Sequence, residues 1–328
     1  MLESSQGAEG DDLARSVRRF LEVPESTAVA GQHVVSKVVL KHFEGEVQGV
    51  RQIGVFSVRH GSQRPIGIGN AGRVQDLLRI GSASAEKLWK VTEDEIGQAI
   101  ADIRDQELLA SPHSMSILRD AIALHFARSK SLVPFLECAE DRISLETIVI
   151  RHREQLTAFF VAEYGGLPTE NQLISLAKDL TVDGRALVAS DAWPRARVEQ
   201  VFEMLKRNAS HELILVRPDA GAGEFLIGDT PAVAYRHAVA LGESRIGWNR
   251  ADEIVMPFAP DLAICLAPKS AASALERLAR VPPSRVDILN ARQVGAAIDY
   301  VFHRPEAEFA GFIAENLLPA GDGRGGSA

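Results

Sequence analysis

The chain has 328 residues, of which 46% are hydrophobic and 24% charged. That balance fits a folded globular protein and points away from disorder or a fibrous repeat. Its 44 acidic residues outnumber 36 basic ones for a formal charge of −8, which argues against a broad cationic footprint for nucleic acid or anionic membrane and leaves room for a local basic pocket.

No run of about 18 apolar residues occurs, so no membrane-spanning helix is expected. The polar, acidic start lacks the basic and apolar regions of a signal peptide, which makes the cytoplasm the expected compartment. Cys138 and Cys265 stand far apart in apolar contexts and read as buried thiols, with no cysteine pair to build a zinc site.

In chain order, residues 1–12 read as a polar tail, followed by a short helix over Leu13–Leu21 that Pro24 stops. The stretch Gln32–Phe43, QHVVSKVVLKHF, reads as a helix headed by His33 in which Val35, Val38, Val39 and Phe43 share a face. GVRQIGVFSV and RPIGIGNAGRV then predict two short strands around the turn HGSQ. Trp89, Ile96, Ala99, Ile100 and Ile103 make Leu88–Leu109 an amphipathic helix. A second helix from Pro112 carries Leu118, Ala121, Ile122 and His125 on one stripe that ends in Arg128. Ser144 caps a third helix lined by Val149, His152, Leu156 and Phe159, and Thr169 with Gln172 forms a capping box for a fourth. Val198, Val201, Phe202 and Leu205 mark a fifth over Pro194–Lys206.

From Glu212 the period shortens. ELILVRPD and EFLIGDTPAVAY predict a hairpin across AGAG, and EIVMPFAP with LAICLAP a second one turning at Pro260 and Asp261. ASALERLARV reads as a short helix. A last helix is expected to begin at Asn290, with Val294, Ala297, Ile298, Val301 and Phe302 on one face, before a polar tail over 319–328. The expected class is α+β: a helical middle packed on an antiparallel β-sheet formed by N-terminal and C-terminal strands. It would form a single domain over 13–318, helical over about 84–208 and β-rich over about 212–268.

Specific motifs are few. GIGNAG, residues 67–72, has the count of a dinucleotide fingerprint but opens no helix of a βαβ unit. GxxxxGK[ST], HExxH, GxSxG and CxxC are absent, so no cofactor is named by the sequence.

Four segments nonetheless form an ordered set: His33 to Phe43, FLIGDTPAV over 225–233, MPFAPDLAICL over 256–266 and LNARQVGAAIDYVF over 289–302. In this order they resemble the DUF4238 family across residues 30–305, and the resemblance extends to HFARSK around Arg128 and to an acidic position near Glu95. Ser36 stands where the family usually has proline, Val39 near a usual aromatic, and Thr230 where its aspartate motif continues with asparagine. The family has no assigned activity, so the resemblance implies an architecture and a candidate site.

That site would combine His33 and Asp229 as catalytic groups with Arg128 and Asn290 as substrate contacts and Glu95 in support. His33 can move a proton near neutral pH or simply satisfy backbone groups at a helix start. Arg128, at the end of an apolar stripe, needs a carboxylate such as Glu95 or Asp229, or an anionic ligand. Asp229 can orient a partner or bond its own turn, and Asn290 with Gln293 also fits an N-cap box. His125 and His152 read as core histidines bonded to backbone. His33, Glu95 and Asp229 have no metal-ligand spacing. The leading expectation is a hydrolase or nuclease-like enzyme acting on a small-molecule or phosphate-containing anion. The alternative is a non-catalytic sensor or interaction module in which the same cluster is structural. Nucleic acid is disfavoured by charge.

Overall fold

The computed structural model describes residues 31–75, 82–106, 111–129, 145–178, 192–207, 211–237, 248, 251–268 and 278–317. The terminal tails, the helix expected over Leu13–Leu21, the Ser144 cap and Cys138 lie outside the described residues.

The chain begins with β1 (Gly31–His33), a single turn of helix α1 (Lys37–Leu40), and the strands β2 (Gly45–Val47), β3 (Val50–Ser57), β4 (Ser62–Ile66) and β5 (Arg73–Gln75). Two long helices follow, α2 (Ser82–Gln106) and α3 (Pro112–Ala127), then α4 (Leu145–Tyr164), α5 over 170–178 and α6 (Ala192–Arg207). The remainder is β6 (His211–Pro218), β7 (Ile227–Gly228), β8 (Val233–Tyr235), β9 (Glu253–Ala259), β10 (Leu262–Pro268), β11 (Leu278–Val281), α7 (Pro283–Ala296), β12 (Tyr300–His303) and α8 (Ala310–Asn316). The class is α+β as expected.

The strands form two five-stranded sheets, in the orders β2-β3-β12-β7 with β4 beside β3, and β11-β6-β10-β9-β8, plus the pair β1-β5. All pairings are antiparallel except β11 on β6. N-terminal and C-terminal strands do share a sheet, through β3 and β12 with Phe56 opposite Val301. Among the described residues no helix is long and apolar enough to cross a membrane.

Cα packing divides the chain into two compact units. The described part of one comprises the start of α2 over 82–85, α4, α5 and α6 as far as Val201. Its core is Val149, Leu156, Leu173, Leu176 and Ala177, and its α5 starts at the expected capping box: Thr169 N donates to Gln172 Oε1 at 2.8 Å and Gln172 N to Thr169 Oγ1 at 3.4 Å. The other unit holds both large sheets. One core layer joins Ile214, Val216, Val255, Ala263 and Cys265 to Val286 and Leu289 of α7. A second packs Phe56, Leu226, Val294, Val301 and Ile313 together. Helix α2 joins this unit from Glu86, with Trp89, Ile96, Ile100 and Ile103 fully buried.

Several expected elements are replaced. Gln32–Phe43 is not one helix: His33 closes β1, Val34 N bonds Gly72 O at 3.0 Å, and helical φ/ψ begins only after Ser36. β6 and β7 do not form a hairpin, because β6 pairs with β10 and β11 while β7 pairs with β12 in the other sheet. Leu278–Val281 is a strand, not the end of a helix. The last long helix starts at Pro283, whose fixed φ suits the first turn and whose missing N–H is not needed there, seven residues before the expected Asn290. It stops at Ala296, so Val301 and Phe302 are strand residues.

Candidate functional site

His33 and Arg73 face each other across the β1-β5 pair, in register. The turn that joins them in space is the glycine segment 67–72: a 3₁₀ turn over Ile68–Asn70, then Gly72 at φ +64, a left-handed value that favours glycine. This turn aims the Ala71 carbonyl at the imidazole, 3.2 Å from His33 Nδ1. A carbonyl only accepts, so Nδ1 carries the hydrogen and Nε2 is left with its lone pair. Partial burial and the charge of Lys37, with smaller contributions from Arg128 and Arg73, hold the imidazole below its ordinary range against the opposing pull of the Ala71 bond. His33 is therefore a neutral ring with a defined tautomer among three cations. Lys37 and Arg73 are exposed.

Arg128 ends α3 and is fully buried beside the Trp89 ring, 5.6 Å from its centroid. Its carboxylate partner is Glu93, at 2.7 Å from Nη1, and not the expected Glu95 or Asp229. Glu95 instead faces His113, 2.8 Å away and exposed. The reason is helical phase: Glu93 is four residues after Trp89 and three before Ile96, inside the apolar stripe, whereas Glu95 is on the outer side.

Ser36 and His125 complete the group. Arg128 Nη2 donates to Ser36 Oγ at 2.5 Å and lies 2.8 Å from His125 Nε2. His125 Nδ1 donates to the Ala121 carbonyl at 2.7 Å, so Nε2 is an acceptor and takes the Ser36 N–H at 3.1 Å. Ser36 Oγ is also 3.0 Å from that nitrogen, but its single hydrogen goes to the stronger acceptor, the Glu93 carboxylate. Burial, then the Arg128 charge, push the His125 pKa well down. His125 is a core histidine bonded to backbone, as expected. The His152 side chain lies outside the described residues.

Asp229 sits at the end of β7, where its two carboxylate oxygens accept from Ile298 N and Asp299 N, both at 2.8 Å. It thereby holds the chain as it leaves α7 for β12. Asn290 and Gln293 are mid-helix, and this corrects the capping-box reading. Asn290 accepts from Leu226 N at 3.0 Å and donates to Glu224 O at 2.9 Å. Gln293 accepts from Gly228 N at 3.0 Å and donates to Pro231 O at 3.0 Å. Four of the five sequence-predicted residues thus fall into two local groups, His33 with the buried Arg128 cluster, and Asp229 with Asn290, while Glu95 stands apart with exposed His113.

Glu93 and Ser36 were missed. A carboxylate within a buried stripe was the available signal for Glu93, and the departure from proline was the signal for Ser36. Among the described residues no three His, Cys, Asp or Glu side chains are placed to hold a metal ion. Residues 31–307 match the family model described as Protein of unknown function (DUF4238). No curated protein and no solved structure matches the chain.

Proposed function

For a chain that belongs to the DUF4238 family, we propose a hydrolase or nuclease-like enzyme acting on an anionic, phosphate-containing substrate, with His33 as its proton-transferring group. One observation carries the reading: a neutral imidazole, oriented by the Ala71 carbonyl, presents Nε2 among Lys37, Arg73 and Arg128. An imidazole with a free lone pair can take a proton from water as that water attacks phosphorus, while exposed Lys37 and Arg73 draw in the anion and balance the charge that develops. Arg128 contributes its field from behind Ser36. Asp229 serves as a positioning residue for the α7–β12 connection, and Asn290 for the segment leading into β7.

The test is turnover of bis(p-nitrophenyl) phosphate and p-nitrophenyl phosphate by the full chain. His33→Gln is expected to lower kcat by about a hundredfold or more with an unchanged melting temperature, and Lys37→Ala or Arg73→Ala to raise KM. Activity should rise with pH with its midpoint below about pH 6.5, because the base has a lowered pKa. Equal turnover by His33→Gln and the wild type overturns the proposal.

A second reading is favoured by a different observation. Arg128 Nη1 and Nη2 are held by Glu93, Ser36 and His125, and both Asp229 oxygens by backbone N–H groups, so the charged ends of this polar set are already paired within the protein. On that reading the chain is a sensor or interaction module. Loss of stability without any turnover in the wild type supports it.

A further inference from the structure

A second group of ionisable side chains, sharing no residue with the one around His33, lies where α7 covers the edge of the β11-β6-β10-β9-β8 sheet. Tyr235 and Glu253 are opposite each other in the β8-β9 register. The Tyr235 hydroxyl donates to Glu253 Oε2, and Arg285 Nη2 donates to the same oxygen at 2.6 Å and to the Tyr235 oxygen at 3.1 Å. His237 Nε2 lies 3.5 Å from Glu253 Oε1, with its ring 5.7 Å from that of Tyr235. Glu253 is buried and Arg285 matches its charge. Burial and this carboxylate together push the Tyr235 phenol up, so it remains a neutral donor.

Arg292, two turns after Arg285 on α7, is a cation beyond that balance. Its guanidinium carbon is 3.7 Å from the centroid of the Tyr235 ring, flat-stacking distance, and its Nε is buried with no acceptor. Among the described residues no carboxylate or carbonyl takes its N–H groups; the buried Nε of Arg128 also lacks an acceptor, but its Nη1 is held by Glu93, as Arg104 is held by Asp261 and Arg304 by Glu224. A guanidinium stacked on an aromatic face keeps all its donors in one plane at its edge, the geometry that meets two oxygens of one oxyanion. A desolvated N–H without an acceptor is a binding interaction left unmade.

We propose that Arg292, stacked on Tyr235 with Arg285 and His237 beside it, forms an oxyanion site that takes a phosphate or carboxylate group on the edge of its guanidinium. Tyr235 and Glu253 set the platform: Glu253 holds Arg285 and the tyrosine ring in place, and the ring fixes the plane of Arg292. Removing the Arg292 charge leaves this Glu253 network intact.

The experiment is a thermal-shift titration of the full chain with inorganic phosphate, and separately with acetate, against sodium chloride at matched ionic strength. A saturable rise of about 2–4 °C at about tenfold over Kd is expected for one or both anions, and their comparison separates phosphate from carboxylate recognition. Arg292→Gln is expected to abolish the rise that persists in a Lys37→Ala/Arg73→Ala background. Arg292→Lys, which keeps the charge and loses the planar fork, should weaken binding several-fold. Lys37→Ala/Arg73→Ala, which removes the exposed cations of the proposed catalytic site, should leave an Arg292-dependent rise, and this separates the two sites. The proposal is overturned if neither anion exceeds chloride, if Arg292→Gln and Arg292→Lys respond like the wild type, or if Lys37→Ala/Arg73→Ala alone removes the whole response.

Discussion

Replacing Glu93 by glutamine is expected to destabilise the protein more than replacing its partner Arg128 by methionine, and the asymmetry follows from exposure. The Arg128 side chain is 1% exposed and that of Glu93 25%. In Glu93→Gln, a sealed guanidinium keeps only neutral acceptors, Ser36 Oγ, His125 Nε2 and the amide oxygen of the substituted side chain, and removing the charge of a buried pair in this way costs about 3–5 kcal/mol. The partial exposure of Glu93 moves the expected value to the low end, about 3 kcal/mol. In Arg128→Met the remaining carboxylate reaches water, and the methionine fills apolar space beside Trp89. The loss is then nearer 2 kcal/mol, mostly from charge-assisted hydrogen bonds. The double variant should cost no more than about 2 kcal/mol, because the stranded cation is gone, which makes the coupling energy about 3 kcal/mol. The assay is urea unfolding of the four proteins followed by tryptophan fluorescence, with Lys90→Ala as the control. Lys90 pairs with Asp94 on the exposed side of the same helix and should matter by under about 0.5 kcal/mol. Additive single effects, or a Glu93→Gln loss as small as that of the control, would refute the account.

Acidification should weaken the fold. Burial holds His33, His42, His125, His211 and His303 below the ordinary imidazole value, so below about pH 6.5 the unfolded chain binds more protons than the native one. Stability is complete above that value and falls as pH drops through the native pKa values. The melting temperature from pH 8 to 5 should show this, with a shallower decline in His125→Gln. Gly228→Ala should cost about 2 kcal/mol or more, because its Cβ would lie 2.8 Å from the backbone oxygen of Gln293. Gly69→Ala, with open space around it, should leave the melting temperature unchanged.

Helical phase was the most legible property of the chain. The stripes Trp89 to Ile103 and Leu118 to His125, the Thr169–Gln172 box and the Glu253–Pro268 hairpin all appear where apolar spacing and turn residues indicate. Short strands beside polar turns were not legible. Residues 31–33 become a strand only because 73–75 return to pair with them, a non-local event that no local period reports. β6 and β7 look like hairpin arms, yet Asp229 and Pro231 interrupt the second arm and send its halves to different sheets. At the candidate site, Arg128 and His125 stood out because polar groups on an apolar stripe need partners. Glu93 carried the same signal and was obscured by the acidic residues around it. Asn290 and Gln293 were misassigned because a spacing of three serves a helix cap and a helix face equally well.

That pair of amides has a consequence for the behaviour of the protein in concentrated solution. Strand β7 is the last in its sheet, and the N–H groups on its open side, those of Leu226 and Gly228, would ordinarily be a template for another chain. Asn290 and Gln293 occupy those two donors with side-chain carbonyls, so α7 imitates a neighbouring strand and closes the edge without supplying one. Loss of either amide would leave a backbone donor of the Leu226–Gly228 edge without its acceptor. Concentration-dependent association would then appear before any loss of the native fold.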